Sequence, residues 1–191
     1  MNGYYSAFLD LRSRACLVIG TGDLCDQKAA ALARAGARVA RADRFDPDDA
    51  QSVYLIVADV DVDEARSIQE FAEAHRIFVN IVDKPEFCSF ILPAVLDRGD
   101  LKIAVSTGGA SPALAGWIRR RLEELFGWEY AILLSELRRT RSKIHRQLPI
   151  YSHRKLLYRR LFNDGILDVA RNGGTKAVRA RLEKAVGEFC P

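Results

Sequence analysis

The stretch Ala15-Cys-Leu-Val-Ile-Gly-Thr-Gly-Asp-Leu-Cys25 decides how the rest of the chain is read. It opens with a compact apolar run that stops at Gly20, the pattern of a buried strand entering a turn. Lys28 to Ala35 then reads as an Ala-rich helix, with Gly36 placed to cap its end. A strand, a glycine turn and a helix in that order suit a dinucleotide. Glycines let backbone amides approach the pyrophosphate, which rests on the positive end of the helix. Gly20, Thr21, Gly22, Asp23 and Leu24 are therefore candidate cofactor-binding residues, with the small Cys25 where a third glycine or alanine is usual. The competing reading is a purely structural turn, because a lone Gly-x-Gly is frequent by chance. Asp43 lies about twenty residues on, where an acidic side chain meets the ribose hydroxyls and favours NAD over NADP. Arg44 joins the candidate set, and together with Arg41 it blurs that preference.

Outward from this unit the alternation continues. A second strand is expected around Ala37–Ala42, a third over Tyr54–Val57, a helix from Asp63 to His75, and a strand over Ile77–Val82. Lys102–Ser106 completes the strands. Strands alternating with helices of this length argue for a parallel sheet with crossover helices. Ser111-Pro112 then opens a helix with a capping serine and proline at its first position. From Gly127 on the pattern is helical, with breaks at Leu148-Pro149, Asn163-Asp-Gly165 and Asn172-Gly-Gly174. The apolar stripes Leu114, Ile118, Leu122, Leu125 and Val178, Leu182, Val186, Phe189 read as core or dimer packing.

Composition narrows the class. With 191 residues, 49% hydrophobic and 28% charged, the chain is an ordinary globular protein large enough to fold without disulfide or metal staples. No apolar run approaches the ~20 residues of a membrane span, and Met1 to Arg14 lacks a signal peptide's apolar core. A soluble, cytoplasmic protein is expected. Cys16, Cys25, Cys88 and Cys190 form no Cys-x-x-Cys pair, and His75, His145 and His153 have no ligand spacing, so no resident metal is expected. The net charge of +4 is unevenly spread. Nine Arg and Lys residues and no acidic one fall between Arg138 and Arg160, which suggests an anionic partner or, equally, a solvated helix face. The block carries no groove-reading motif, so nucleic acid ranks last among the partners.

Two further segments carry chemistry. Asp83 follows the apolar run Ile77–Val82 and should project from the carboxyl end of a central strand, the edge where open α/β sheets bind ligands. A turn or helix-capping role before Lys84-Pro85 is equally compatible with the pattern. Ser106-Thr-Gly-Gly-Ala-Ser-Pro112 again joins a strand to a helix. Its glycines Gly108 and Gly109 permit a backbone anion nest, and Thr107 and Ser111 add hydroxyl donors; a tight turn with a serine cap is the alternative.

Taken in order, Tyr5-Ser-Ala-Phe-Leu-Asp-Leu-Arg12, the Cys16–Lys28 turn, Phe78-Val-Asn-Ile-Val-Asp83, Ser89-Phe-Ile-Leu-Pro93 and Ala104-Val-Ser-Thr-Gly-Gly-Ala-Ser-Pro-Ala-Leu-Ala115 resemble the siroheme synthase family. The resemblance is to its precorrin-2 dehydrogenase/sirohydrochlorin ferrochelatase module. It implies an α/β fold with an N-terminal Rossmann-like parallel sheet (residues 1–92), a small central dimerisation and active-site segment (93–126) and an all-helical C-terminal region (127–191). Relative to the family pattern the chain is short by about one strand and its loop after Gly36, and Ala65 and Asp26-Gln-Lys28 replace usual family residues.

The resemblance implies a homodimer that uses NAD to oxidise precorrin-2 to sirohydrochlorin and, in some members, inserts Fe²⁺ to give siroheme. Asp83 matches the family's essential aspartate, Thr107 a Ser or Thr lining the tetrapyrrole cavity, and Thr21 to Leu24 the pyrophosphate turn. Loss of a hydride and a proton makes a carboxylate base useful, and the substrate's carboxylates give the basic block a counter-charge. The shortened cofactor region motivates two alternatives: a chelatase alone, or a protein that binds a tetrapyrrole or dinucleotide without turnover.

Overall fold

The computed structural model describes residues 3–189; Cys190 and the Phe189 side chain lie outside the described set. Contacts divide the chain into two compact units. One holds the residues up to Leu92 together with Gly108–Ser111, and the other holds Pro93–Thr107 together with the chain from Pro112 on.

In the first unit β1 (Ala15–Ile19), β2 (Arg38–Ala42), β3 (Leu55–Ala58) and β4 (Phe78–Ile81) form one parallel sheet in the order β2-β1-β3-β4. The central strands are apolar along their length because both faces are covered. Leu17, Ile19, Ile56, Val79 and Ile81 face Ala65, Ile68 and Ala72 of one helix. Cys16, Val18, Leu55 and Val57 pack with Cys25, Ala29 and Leu32 of another. These helices are α1 (Asp23–Arg34) and α3 (Val62–His75), with the one-turn α2 (Pro47–Ala50) between them. α1 begins at Asp23 rather than Lys28, because Gly22 supplies the cap through its backbone and no Ser, Thr, Asp or Asn marks the start.

The two edges of the sheet are protected differently. β2 carries the exposed Arg38 and Arg41, and charge on an edge opposes pairing with another chain. β4 is covered by the segment that follows it. Ser89 donates its amide to the Val79 carbonyl (2.9 Å) and accepts the Val79 amide on its hydroxyl (2.8 Å), while the Asn80 amide nitrogen donates to the Phe90 carbonyl (3.0 Å). Asn80 and Ser89, prominent in the sequence motifs, thus fasten the loop before Pro93 to the sheet.

In the second unit β5 (Ala94–Arg98) and β6 (Leu101–Val105) pair antiparallel. The strand expected at Lys102–Ser106 exists, but it does not join the parallel sheet. Its partner is the preceding segment, reached through the two-residue turn Gly99-Asp100, with Gly99 at φ 66° and its amide held by the Asp97 carboxylate at 3.0 Å. α4 (Pro112–Leu125) follows, then α5 (Glu129–Gln147), α6 (Tyr151–Asn163) and α7 (Ile166–Phe189). The expected break at Asn172-Gly-Gly174 is a kink inside α7, where Gly174 has φ 61° and ψ −158°. α5 and α6 both pack against α7. Leu133, Ile144, Leu157, Leu161, Val178 and Leu182 are among the buried residues of this helical core.

Part-buried ion pairs tie α5 to α7, Glu136 with Arg179 (3.1 Å) and Glu129 with Arg171. Glu129 opens α5, where a carboxylate suits the helix dipole, and Arg171 donates to its Oε1 at 2.8 Å. The Arg171 hydrogen bond holds the Glu129 carboxyl below its ordinary value, with backbone amides assisting. A depressed carboxyl contributes stability that is complete above the unfolded pKa, near 4.5, and is lost as the pH falls through the folded one. Glu129→Gln is therefore expected to cost about 1–3 kcal/mol at pH 7. In urea unfolding the gap to the wild type closes as the pH is lowered below 4.5; a gap that persists undiminished into acid would show that charge is not its source.

Candidate active site

All four parallel strands end on one edge, and the strand order reverses between β1 and β3. Such a switch point opens a crevice outside the carboxyl ends of the strands, the usual ligand site of open α/β sheets. The bend after β1 lies in this crevice. The Gly20 amide donates to the Ala42 carbonyl (2.9 Å), and the Asp59 amide to the Ile19 carbonyl (2.9 Å), so the turns after β1, β2 and β3 are joined.

Gly20 is required by sterics. At φ 110°, an added Cβ would stand 2.5 Å from the Asp59 carbonyl oxygen and 3.1 Å from the Cys25 sulfur. Cys25 is buried, and burial raises its thiol pKa, so it is a neutral packing group with its sulfur 3.6 Å from the Ile19 carbonyl oxygen. Gly22 is different. It has φ 88° and ψ 178°, an added Cβ would meet nothing within 4 Å, and α1 starts on it without a side-chain cap. Open space over uncapped helix amides fits a pyrophosphate. Asp23 and Asp26 stand in the same first turn, and Asp26 is neutralised by Arg41 at 2.5 Å; the other arm of Arg41 donates to the Gly20 carbonyl at 3.3 Å. Arg41 thus braces the bend, a role visible only once β2 lies beside β1.

Asp43 and Arg44 directly follow β2 on the same edge, and both are exposed. Asp83 follows β4, about 10 Å from β1 at two strand spacings. It is exposed and sits in the left-handed region at φ 56°, which Asp and Asn tolerate better than other non-glycine residues. Its carboxylate has no hydrogen-bond or ion-pair partner among the described residues, and the 3₁₀ turn Pro85–Phe87 starts at Lys84 without a side-chain cap. Of the two sequence alternatives, the chain uses the turn geometry but leaves the carboxylate uncommitted. Lys84 donates its ammonium to the Val60 carbonyl (2.8 Å) and so ties the loop after β4 to the loop after β3.

Thr107, Gly108, Gly109 and Ser111 connect β6 to α4, and Gly108–Ser111 group with the first unit, which holds the sheet. Gly108 and Gly109 have φ 63° and 87°, and space around Gly109 is open to 4 Å. Among the described residues no group of three or more His, Cys, Asp or Glu side chains could cage a metal ion, and no helix is long and apolar enough to cross a membrane.

Comparison with known proteins relates the two parts of the chain to two family models. A family model described as NAD(P)-binding matches residues 7–94, and the model of the sirohaem biosynthesis protein central region matches 98–125. Siroheme synthase of Escherichia coli O17:K52:H18 is 34% identical over 204 residues, an alignment covering 95% of this chain and 45% of that protein. Siroheme synthase of Shigella flexneri matches with the same identity and coverage. The chain is similar to siroheme synthases over nearly all of its own length. It spans about half the length of the curated relatives it matches. Among solved structures, that of SirC, precorrin-2 dehydrogenase, shares the fold of this siroheme synthase relative with a TM-score of 0.66 and 21% identity, covering 97% of this chain and 98% of that one. The α/β Rossmann-like sheet followed by a helical region, read from the sequence, is the fold observed.

Proposed function

We propose that the chain is an NAD-dependent precorrin-2 dehydrogenase that yields sirohydrochlorin in siroheme biosynthesis, acting in the cytoplasm as a homodimer. The observation that carries this reading is the crevice at the switch point, with an open glycine bend at β1 and an uncommitted carboxylate after β4 on the same edge. Gly20, Thr21, Gly22, Asp23 and Leu24 would hold the pyrophosphate, and Asp43 and Arg44 the ribose side. An acidic group at Asp43 favours NAD over NADP. NAD held there would supply the hydride acceptor for the oxidation.

Asp83 takes the proton that leaves with it. An exposed carboxylate without a partner among the described residues is sterically free to act as a general base. The same carboxylate could receive pyrrole N–H protons if Fe²⁺ is inserted as a second substrate. Thr107, Gly108, Gly109 and Ser111 are assigned to the tetrapyrrole, through hydroxyl and backbone donors. Support for the homodimer comes from α4, where Leu114, Trp117 and Leu125 are exposed at helical spacing, a face that a second copy would cover. Anaerobic incubation with precorrin-2 and NAD⁺ is expected to give one NADH per sirohydrochlorin; no NADH would refute the dehydrogenase. Metal insertion by the same preparation without NAD would then leave the chelatase reading.

A further inference from the structure

The nine cations between Arg138 and Arg160 separate into two groups once the helices are placed. Arg139 pairs with Glu136 (2.8 Å), Lys143 with Glu183 (3.8 Å), and Arg160 with Glu188 (3.3 Å) and Asp164 (3.6 Å). Arg141, Lys155 and Arg159 have no carboxylate partner among the described residues, and all three line one groove of about 890 Å³ between α5 and α6. Arg146, which also lacks a partner, does not line it. Both helices rest on α7, and the groove is built from one face of each: Arg141 lies one turn beyond Leu137 on α5, and Arg154, Lys155, Tyr158, Arg159 and Phe162 recur at helical spacing on α6.

The groove is amphipathic. Leu134, Leu137, Tyr158 and Phe162 supply its apolar surface. Arg154 is fixed at the α5–α6 turn by donating to the Leu148 (2.7 Å) and Pro149 (2.6 Å) carbonyls. The one carboxylate present, Asp100, is already paired with Arg138 at 2.5 Å. Unpaired cations repel one another, so collecting three around an apolar floor lowers stability unless an anion joins them. Guanidinium groups bind carboxylates bidentately and stack on flat conjugated faces. The volume is that of a small-ligand site.

We infer that this groove binds a flat, apolar-faced macrocycle bearing several peripheral carboxylates, its ring on Tyr158 and Phe162 and its carboxylates on Arg141, Lys155 and Arg159. That the macrocycle belongs to the substrate's class rests on the function proposed above; the partition of the cations does not. All of the residues that line the groove belong to the second unit, and none of them belongs to the sheet edge that carries Asp83.

The test is fluorescence titration of the full chain with uroporphyrin, an octacarboxylate, and coproporphyrin, a tetracarboxylate. Uroporphyrin is expected to bind more tightly. Arg141→Gln, Lys155→Gln and Arg159→Gln should each weaken it about tenfold, whereas Arg146→Gln, with the same loss of charge outside the groove, should change it less than about twofold. Equal losses at Arg146 and the groove positions, unchanged binding in all three groove variants, or displacement of the porphyrin by a single-stranded oligonucleotide at lower concentration would each overturn the inference. The readout needs neither NAD nor turnover. A chain that fails to oxidise precorrin-2 yet shows the groove-specific losses removes the dehydrogenase and keeps the groove; a chain that turns over while its groove variants bind normally does the reverse.

Discussion

Asp83→Asn is expected to lower NADH formation from precorrin-2 by about 10²–10⁴-fold, the usual contribution of a positioned general base. Asparagine has nearly the same shape and tolerates the left-handed backbone at φ 56° as aspartate does. The wild-type carboxylate accepts no hydrogen bond from the described residues, so no partner is orphaned by the change. The melting temperature should therefore stay within about 2 °C, a shift under ~1 kcal/mol for a chain of this size. Asp83→Ala removes the carboxylate as well but adds about 1 kcal/mol of backbone strain. It is expected to lose the same activity with a slightly lower melting temperature. Wild-type rates in Asp83→Asn would take residue 83 out of the chemistry.

The second large effect separates the two glycines of the β1 bend. Gly20→Ala places a methyl group 2.5 Å from a backbone oxygen that is itself held in the turn after β3, at a φ that side chains rarely adopt. Strain and overpacking together should cost about 2–5 kcal/mol. At roughly 2–4 °C per kcal/mol, the melting temperature falls by about 5–20 °C. Gly22→Ala meets no atom within 4 Å, so only the strain of φ 88° is incurred, but its methyl fills the space assigned to the pyrophosphate. NAD⁺ titration by calorimetry is expected to show affinity lost in both variants, with the large thermal shift confined to Gly20→Ala. Normal affinity in Gly22→Ala would mean that the nucleotide does not cross this bend.

The parts of the fold legible in the sequence are those whose signal is local. β1 and β3 are short apolar runs because they are buried on both faces, β4 buries Val79 and Ile81 on one, and the helix breaks at Leu148-Pro149 and Asn163-Asp-Gly165 fall where proline and glycine end α5 and α6. The first turn of α1 was hidden because its cap is a glycine backbone. β5 carries little local signal because Leu96 is its only buried residue; the Gly99-Asp100 turn is the feature that pairs it with β6. A strand's partner is not written in its own residues, which is why β6 reads as one more parallel strand.

The site follows the same division. Placing Asp83 and the glycine bend on one edge needs only that the strands be parallel, and the alternation of elements supplies that. Bracing by Arg41, the tie from Lys84 to Val60, and the pairing that leaves Arg141, Lys155 and Arg159 unneutralised all depend on residues far apart in the chain, and no spacing announces them. The basic block is visible as charge, but the third of it that stays unpaired in the groove emerges only from the positions of Glu136, Glu183 and Glu188.

The most direct test of the account is a crystal structure of the protein grown with NAD⁺. The pyrophosphate should lie over Gly20–Leu24 at the start of α1, with the nicotinamide directed along the strand ends toward Asp83. A nucleotide bound elsewhere, or one whose reactive ring points away from residue 83, would contradict the proposal that this sheet edge carries out the oxidation.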